Sequence, residues 1–282
     1  MTEIIDGKEL AKTLDNEMIR QVGQLKQRGV VPGLAVIMVG NDAASQIYVR
    51  NKHRRSQKIG IQSRDITFPW DISETELLAQ IDDLNHDPDI DGILVQLPLP
   101  KHIHAKAVLE HISPEKDVDG FHPINVGRLW NNDGKIVPST PYGIMTMLDR
   151  YHVQIAGKNA LIIGRSTIVG RPMAAMLLNA NATVTIAHSQ TDNLKTLVHA
   201  ADILIVAVGI SHFIRGEDIK PGAIVIDVGM NRDSNNHLTG DVDFDSAKTV
   251  ASMITPVPGG VGPMTITMLM QQTINIASRR TK

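Results

Sequence analysis

The sequence predicts an α/β protein of two domains, each built on a parallel sheet. Three observations carry this: the length, the repeated alternation of short apolar runs with amphipathic segments, and the lapse of that alternation between about Pro114 and Thr140. At roughly 150 residues per domain, 282 residues make about two. Hydrophobic residues at 42% together with 22 glycines fall in the ordinary globular range, which excludes a disordered chain. Aromatic residues are only 3%, so the cores must be packed with Ile, Leu, Val, Met and Ala.

The first helix is read from Leu10, Leu14, Met18, Val22 and Leu25, whose spacing puts one apolar stripe on one face. Gly29 and Pro32 end it. Leu34 to Val39 then reads as a buried strand, Ala43 to Lys58 as a helix and Ile61 to Phe68 as a second strand. Ser73-Glu74-Thr75-Glu76 is a capping box that opens the helix Leu77 to Leu84, and Ile90 to Leu97 is a further strand ended by Pro98 and Pro100. This β-α-β-α-β order implies a parallel sheet. The stretch from Pro114 to Thr140, with the turn signal Asn131-Asn132-Asp133-Gly134, reads as a long connection and a domain boundary.

Alternation then restarts. Helix Tyr142 to Tyr151 precedes strand Ala160 to Ile163, helix Val169 to Leu178, strand Thr183 to Ala187, helix Asn193 to Ala200, and the strands Ile203 to Val208 and Ala223 to Val228. An apolar helix, roughly Met264 to Ile276, closes the chain and can pack on either half. Twenty-eight basic and thirty acidic residues leave a formal charge of −2, without the basic excess a nucleic-acid binder needs. The absence of cysteine excludes disulfides, thiolate catalysis and Cys-ligated metal centres. No apolar run approaches the ~20 residues that span a bilayer, and Met1-Thr2-Glu3 does not open a signal peptide, so a cytoplasmic protein is expected.

Gly164-Arg165-Ser166-Thr167-Ile168-Val169-Gly170-Arg171-Pro172 follows a predicted strand and opens a predicted helix. A phosphate needs backbone N–H groups from a helix N-terminus and an approach free of side chains, which a glycine-rich strand-to-helix turn supplies. The match to a dinucleotide turn is imperfect, since Ser166 takes the second glycine position and the last glycine falls one place late. A plain βα turn is the alternative. The next strand ends Ala187-His188-Ser189-Gln190, without the carboxylate that binds a free ribose 2′-hydroxyl. With Arg165 and Arg171 on the turn and a hydroxyl at Ser189, NADP is favoured over NAD. Solvated surface arginines are the bland reading, and Arg171 is the more doubtful of the two.

Ser45, Tyr48 and Lys52 share one face of the second helix, where Asn51, Lys52 and Arg55 replace the apolar residues of a core stripe. The helix is therefore exposed there, or lines a polar cleft. Gln96 falls at the carboxyl end of its strand, where parallel sheets present ligand-binding side chains, although an edge-of-sheet polar residue reads equally well. Glu115, Asp117 and Asp119 match no compact metal loop, and no metal is expected. His102 and His104 read as surface imidazoles. Pro256 to Thr265 is rich in Gly and Pro just before a helix, the pattern of a backbone approached closely by a partner.

Tyr48-Val49-Arg50-Asn51-Lys52, Val95-Gln96-Leu97-Pro98-Leu99-Pro100, Glu115 to Gly120, Gly164 to Pro172 and Pro258 to Thr265 occur in this order. Together they resemble the bifunctional methylenetetrahydrofolate dehydrogenase/methenyltetrahydrofolate cyclohydrolase family, essentially from Gly7 to the terminal helix. The resemblance implies a folate-binding catalytic domain of residues 1–138 plus 265–282, a Rossmann NADP-binding domain of residues 139–264, and an active-site cleft between them. It implies catalytic roles for Lys52, Tyr48 and Gln96. Folate contacts are implied for these three and for Leu97, Asp119, Pro258 and Gly259, and NADP contacts for Gly164, Arg165, Ser166, Ile168, Ser189, Gly209 and Ile210. Tetrahydrofolate one-carbon derivatives as substrates and a homodimer formed through the nucleotide domains are implied too.

Departures from the family pattern are His53-Arg54-Arg55-Ser56 after the lysine and Ser139 in place of a frequent cysteine. The cations Arg54, Arg55 and Lys58 suggest attraction of a polyglutamylated folate tail, against an ordinary solvated helix face. An NADP-dependent dehydrogenase of a small carbonyl acid and a non-catalytic dinucleotide-binding regulator are the competing readings, and Tyr48, Lys52, Gln96 and Asp119 argue against both.

Overall fold

The structure, a computed structural model, describes residues 2–233 and 235–281. Its contacts divide the chain into two compact units, Thr13–Ser139 with Ile266–Lys282, and Met1–Lys12 with Thr140–Thr265. The elements run β1 (Glu3–Ile4), α1 (Gly7–Gln27), β2 (Gly33–Val39), α2 (Ala43–Ile59), β3 (Gln62–Phe68), α3 (Glu74–His86), β4 (Gly92–Val95), α4 (Ala105–His111), α5 (Pro123–Trp130) and α6 (Ser139–Arg150). They continue with β5 (Asn159–Ile163), α7 (Gly170–Asn179), β6 (Thr183–Ala187), α8 (Leu194–Ala200), β7 (Ile203–Val206), β8 (Ile224–Asp227), β9 (Asn231–Arg232), β10 (Leu238–Thr239), α9 (Phe244–Ala247), β11 (Met253–Ile254) and α10 (Val261–Ala277). Among the described residues no helix is long and apolar enough to cross a membrane.

In the unit that holds residues 13–139, β2 lies between β3 and β4 in a parallel three-stranded sheet, with Ile37 opposite both Ile66 and Val95. Every residue of β2 is buried, as expected of a strand covered on both faces. The capping box at the start of α3 is present, Ser73 Oγ accepting from Glu76 N and Glu76 Oε2 accepting from Ser73 N. Leu77, Ile81 and Leu84 then pack with Ile37, Ile93 and Val108. Two expectations are corrected here. The strand expected over Ile90 to Leu97 shortens to Gly92–Val95, and the connection from 114 to 140 contains α5, started by Pro123 and by His122 Nδ1 accepting from Ile124 N. A helix of eight residues spans barely two turns, too short for a period to declare itself.

The other unit holds a parallel sheet in the order β1-β11-β8-β7-β5-β6. Strand β5 lies between β6 and β7, so the order reverses there, the place where open parallel sheets take ligands at the carboxyl ends of their strands. Leu161, Ile163, Leu204, Val206 and Val225 form part of its core. Strands β9 and β10 pair as an antiparallel hairpin. Glu3 and Ile4 pair in parallel with Met253 and Ile254, so the first strand is an edge of the six-stranded sheet, and the contact division groups residues up to Lys12 with it. A two-residue strand carries no alternation that a local window could detect.

Candidate active site

Helix α2 is started by Asp42, whose carboxylate accepts from Ser45 N at 2.8 Å, and ended by Gly60 in the left-handed conformation at φ 94°. Val49, Ser56 and Ile59 bury one side of it. Asp15 of α1 clamps a second side: Arg55 Nη2 stands 2.7 Å from Asp15 Oδ1, and Lys58 Nζ 2.9 Å from Asp15 Oδ2. Two of the three cations considered for an acidic tail are therefore already engaged by a carboxylate with only 3% exposure. That leaves Arg54 of the three exposed and without this tether, a weak basis for such attraction.

Lys52 projects from the remaining side. Its Nζ donates to Gln96 Oε1 at 2.9 Å. Gln96 sits one residue beyond β4, its N–H donating to Ile37 O at 2.8 Å, so the sheet fixes its position. The Gln96 Nε2 donates to Leu97 O at 2.8 Å, which turns the amide oxygen toward the lysine. Tyr48, one helical turn before Lys52, is 40% exposed, open to a partner on the same face.

Asp119 completes the cluster electrostatically. Burial pushes its carboxyl up to about 6, Lys52 draws it back and Asp117 adds to the rise. Burial likewise lowers Lys52, with Asp119 opposing. The turn carrying Asp119 is held by residues that motif reading did not single out for this purpose. Asp117 accepts from Gly120 N at 3.1 Å, His122 N at 2.8 Å and Asn125 Nδ2 at 3.0 Å. The buried Gln272 donates to Val118 O at 2.6 Å and accepts from Val137 N at 2.9 Å. Asp117 carried a weak signal as one of three clustered carboxylates. Gln272 carried only the oddity of an amide on an apolar helix. His102 and His104 are engaged, by Ile72 O at 2.9 Å and by Glu74 at 2.9 Å.

The predicted dinucleotide residues gather at the ends of β5, β6 and β7. Gly164 follows β5 at φ 122°, and a Cβ there would collide with Ala207 O at the end of β7. A Cβ on Gly170 would collide with Gly164 O, so both glycines let the turn fold tightly on itself. Ser166 Oγ accepts from Val169 N at 3.1 Å and Gly170 N at 3.3 Å, capping the start of α7. The serine at the second glycine position thus has a local task. Arg165, Ser166 and Ile168 are exposed, as are Ser189 after β6 and Gly209 and Ile210 after β7. Exposed hydroxyls, a cation and bare glycine backbone at a strand-order reversal fit a dinucleotide phosphate. Arg171 donates through Nε to Arg165 O at 3.2 Å.

Pro258 and Gly259 belong to the unit of the six-stranded sheet and Lys52 and its neighbours to the other, and Gly259 O accepts from Lys8 N at 2.8 Å. Among the described residues no group of three His, Asp or Glu is placed to hold a metal ion.

Comparison with known proteins agrees with both halves. The tetrahydrofolate dehydrogenase/cyclohydrolase catalytic domain matches residues 5–119, and the NAD(P)-binding domain of the same family matches residues 138–281. A bifunctional protein FolD of Lactococcus lactis subsp. cremoris is 58% identical over 277 residues, covering 98% of this chain and 97% of that protein. The crystal structure of the bifunctional enzyme FolD from Campylobacter jejuni, 47% identical, superposes with a TM-score of 0.98 over 99% of this chain and 100% of its own. The Trypanosoma brucei N5,N10-methylenetetrahydrofolate dehydrogenase-cyclohydrolase, crystallised with NADP cofactor and inhibitor, is 39% identical with a TM-score of 0.94 over 100% and 99% of the two chains. The chain belongs to the tetrahydrofolate dehydrogenase/cyclohydrolase family.

Proposed function

We propose that the protein oxidises 5,10-methylenetetrahydrofolate to the 5,10-methenyl form with NADP and hydrolyses that product to 10-formyltetrahydrofolate, with Lys52, Gln96, Tyr48 and Asp119 as the working side chains. The observation that carries this reading is the 2.9 Å contact between a partly desolvated lysine and a sheet-anchored glutamine, with a carboxyl raised to about 6 coupled to the lysine.

NADP supplies the hydride acceptor. The carbon that loses hydride lies between two nitrogens, which delocalise the resulting cation, so the chain's own task in that step is orientation. Tyr48, exposed on the lysine face, positions the folate, and Asp119 accepts from the amino-pyrimidine edge of the pterin. In hydrolysis a water adds to the methenyl carbon and gives up one proton, the bond to N5 breaks as that nitrogen is protonated, and the remaining hydroxyl proton leaves to solvent as the formyl C=O forms on N10. An amine whose pKa is lowered by burial can take and return that proton, and Gln96 holds it in line. Leu97, Pro258 and Gly259 border the folate, and Gly164, Arg165, Ser166, Ile168, Ser189, Gly209 and Ile210 hold the dinucleotide in this reading. The family likeness further supports a homodimer formed through the nucleotide unit and a cytoplasmic location.

The test is Lys52→Ala assayed for both reactions. Methenyl hydrolysis is expected to fall by roughly 10²-fold or more while NADP still binds. Unchanged hydrolysis would remove the lysine from the mechanism. Incubation of the wild type with methylenetetrahydrofolate and either nicotinamide cofactor, following reduced cofactor and methenyl product together, checks the substrate and the preference for NADP.

A further inference from the structure

Asp241 has no exposed surface, yet its carboxylate accepts four hydrogen bonds. Oδ2 takes the N–H groups of Val208 at 2.6 Å and Gly209 at 2.9 Å. Oδ1 takes Ile210 N–H at 2.9 Å and Asn231 Nδ2 at 2.8 Å. Three consecutive backbone donors after β7 thus converge on one side chain, an arrangement made possible by the left-handed φ of 71° at Gly209.

The carboxylate is itself braced. Asp241 N and Gly229 N each donate to Asp227 Oδ1 at 2.9 Å, Val242 N donates to Asp227 Oδ2 at 2.9 Å, and Asp227 N donates to Thr255 Oγ1 at 2.8 Å. Gly229 and Gly240 are required by the packing of this pair: a Cβ on Gly229 would collide with the Asp241 carboxylate, and one on Gly240 with that of Asp227. The arrangement runs from β8 and the turn before α9 to the loop 208–210, and Asn231 ties the hairpin β9–β10 into it. Ser211 Oγ and Thr239 Oγ1, 2.9 Å apart, add a second tie. A buried carboxylate is costly unless its donors are in place, so loop and carboxylate hold each other in one geometry.

We propose that Asp241 is a positioning residue for the dehydrogenase reaction, its carboxylate setting the Val208–Ile210 backbone in the shape that receives the dinucleotide. The proposal rests on the reading of Gly164–Ser166, Ser189 and Gly209–Ile210 as the dinucleotide site. Without exposed surface, Asp241 acts through the loop alone.

Asp241→Asn keeps the size but turns an NH₂ group toward donors that need an acceptor. The KM for NADP is expected to rise about tenfold with kcat at saturating NADP within about twofold, so the ratio of dehydrogenase to cyclohydrolase turnover falls at low NADP and recovers at high NADP. A loss of thermal stability with unchanged KM would overturn the proposal. Asn231→Ala removes only the fourth donor and is expected to leave the KM within about twofold, whereas a rise equal to that of Asp241→Asn would transfer the effect to the hairpin and refute the assignment. Hydrogen exchange on the wild type decides the matter if Asp241→Asn does not fold: the 208–210 amides should exchange slowly without NADP, and fast exchange refutes the proposal. Slow exchange that saturating NADP does not slow further would instead overturn the dinucleotide-site reading on which the proposal stands.

Discussion

Asp119→Asn is expected to stabilise the folate-side unit while it weakens substrate binding. Burial raises the Asp119 carboxyl from 3.8 to about 6. A raised pKa means the folded protein holds that proton more tightly than the unfolded chain does, so the wild type loses stability as pH rises through about 6. An amide carries no charge at any pH and escapes the loss. The full shift corresponds to about 3 kcal/mol, and because the half-buried side chain retains some screening by water, about 1–3 kcal/mol is the expected gain above pH 7. About half of that gap should be present at pH 5 and the rest by about pH 7. Both tryptophans of the chain, Trp70 and Trp130, lie in the same unit as Asp119, so urea unfolding followed by their fluorescence reports on that unit. The KM for folate should rise at least about tenfold, through loss of a charge-assisted contact. A stability gap that stays flat between about pH 5 and 8, or an amide variant less stable at pH 8, would refute the reasoning.

Gln96→Ala removes the acceptor of Lys52 and so disfavours the ammonium form further; the acidic limb of the methenyl-hydrolysis pH profile should move to lower pH, and an unmoved limb would contradict the contact. Asp15→Asn breaks the clamp on Arg55 and Lys58 and should cost about 2–3 kcal/mol in the same fluorescence assay, less than a fully buried pair because Lys58 is half exposed. Gly164→Ala combines a strained φ of 122° with a collision against Ala207 O, and should cost the dinucleotide unit at least about 2 kcal/mol by circular dichroism, with NADP binding lost.

Much of this was legible locally. Helix α1 declared itself through Leu10, Leu14, Met18, Val22 and Leu25, β2 through the apolar run Leu34 to Val39, and α3 through its capping box, because each repeats or terminates within one short window. Lys52 was suspect because polar residues interrupt an apolar stripe and Gln96 because it ends a parallel strand, and they meet in space although 44 residues apart in sequence. What stayed hidden depends on distant pairing. Arg55 and Lys58 looked available to an acidic tail until Asp15, some forty positions upstream, was seen to hold both. Asp227 and Asp241 left one trace, the glycines at 229 and 240 beside them, whose purpose appears only when the two turns are brought together. Helix α5 and strands β1 and β11 are simply too short for periodicity to separate from loops.

The parallel pairing of β1 with β11 has a consequence for how the chain is made. A ribosome releases Glu3 and Ile4 long before Met253 and Ile254 exist, so the first strand must wait, unsatisfied, through almost the whole of translation. Strands β2, β3 and β4 have all emerged by Val95 and can pair early, although residues 266–282 of the same unit come last. The six-stranded sheet closes only when its penultimate edge emerges, which makes its completion the late and slow event of biogenesis.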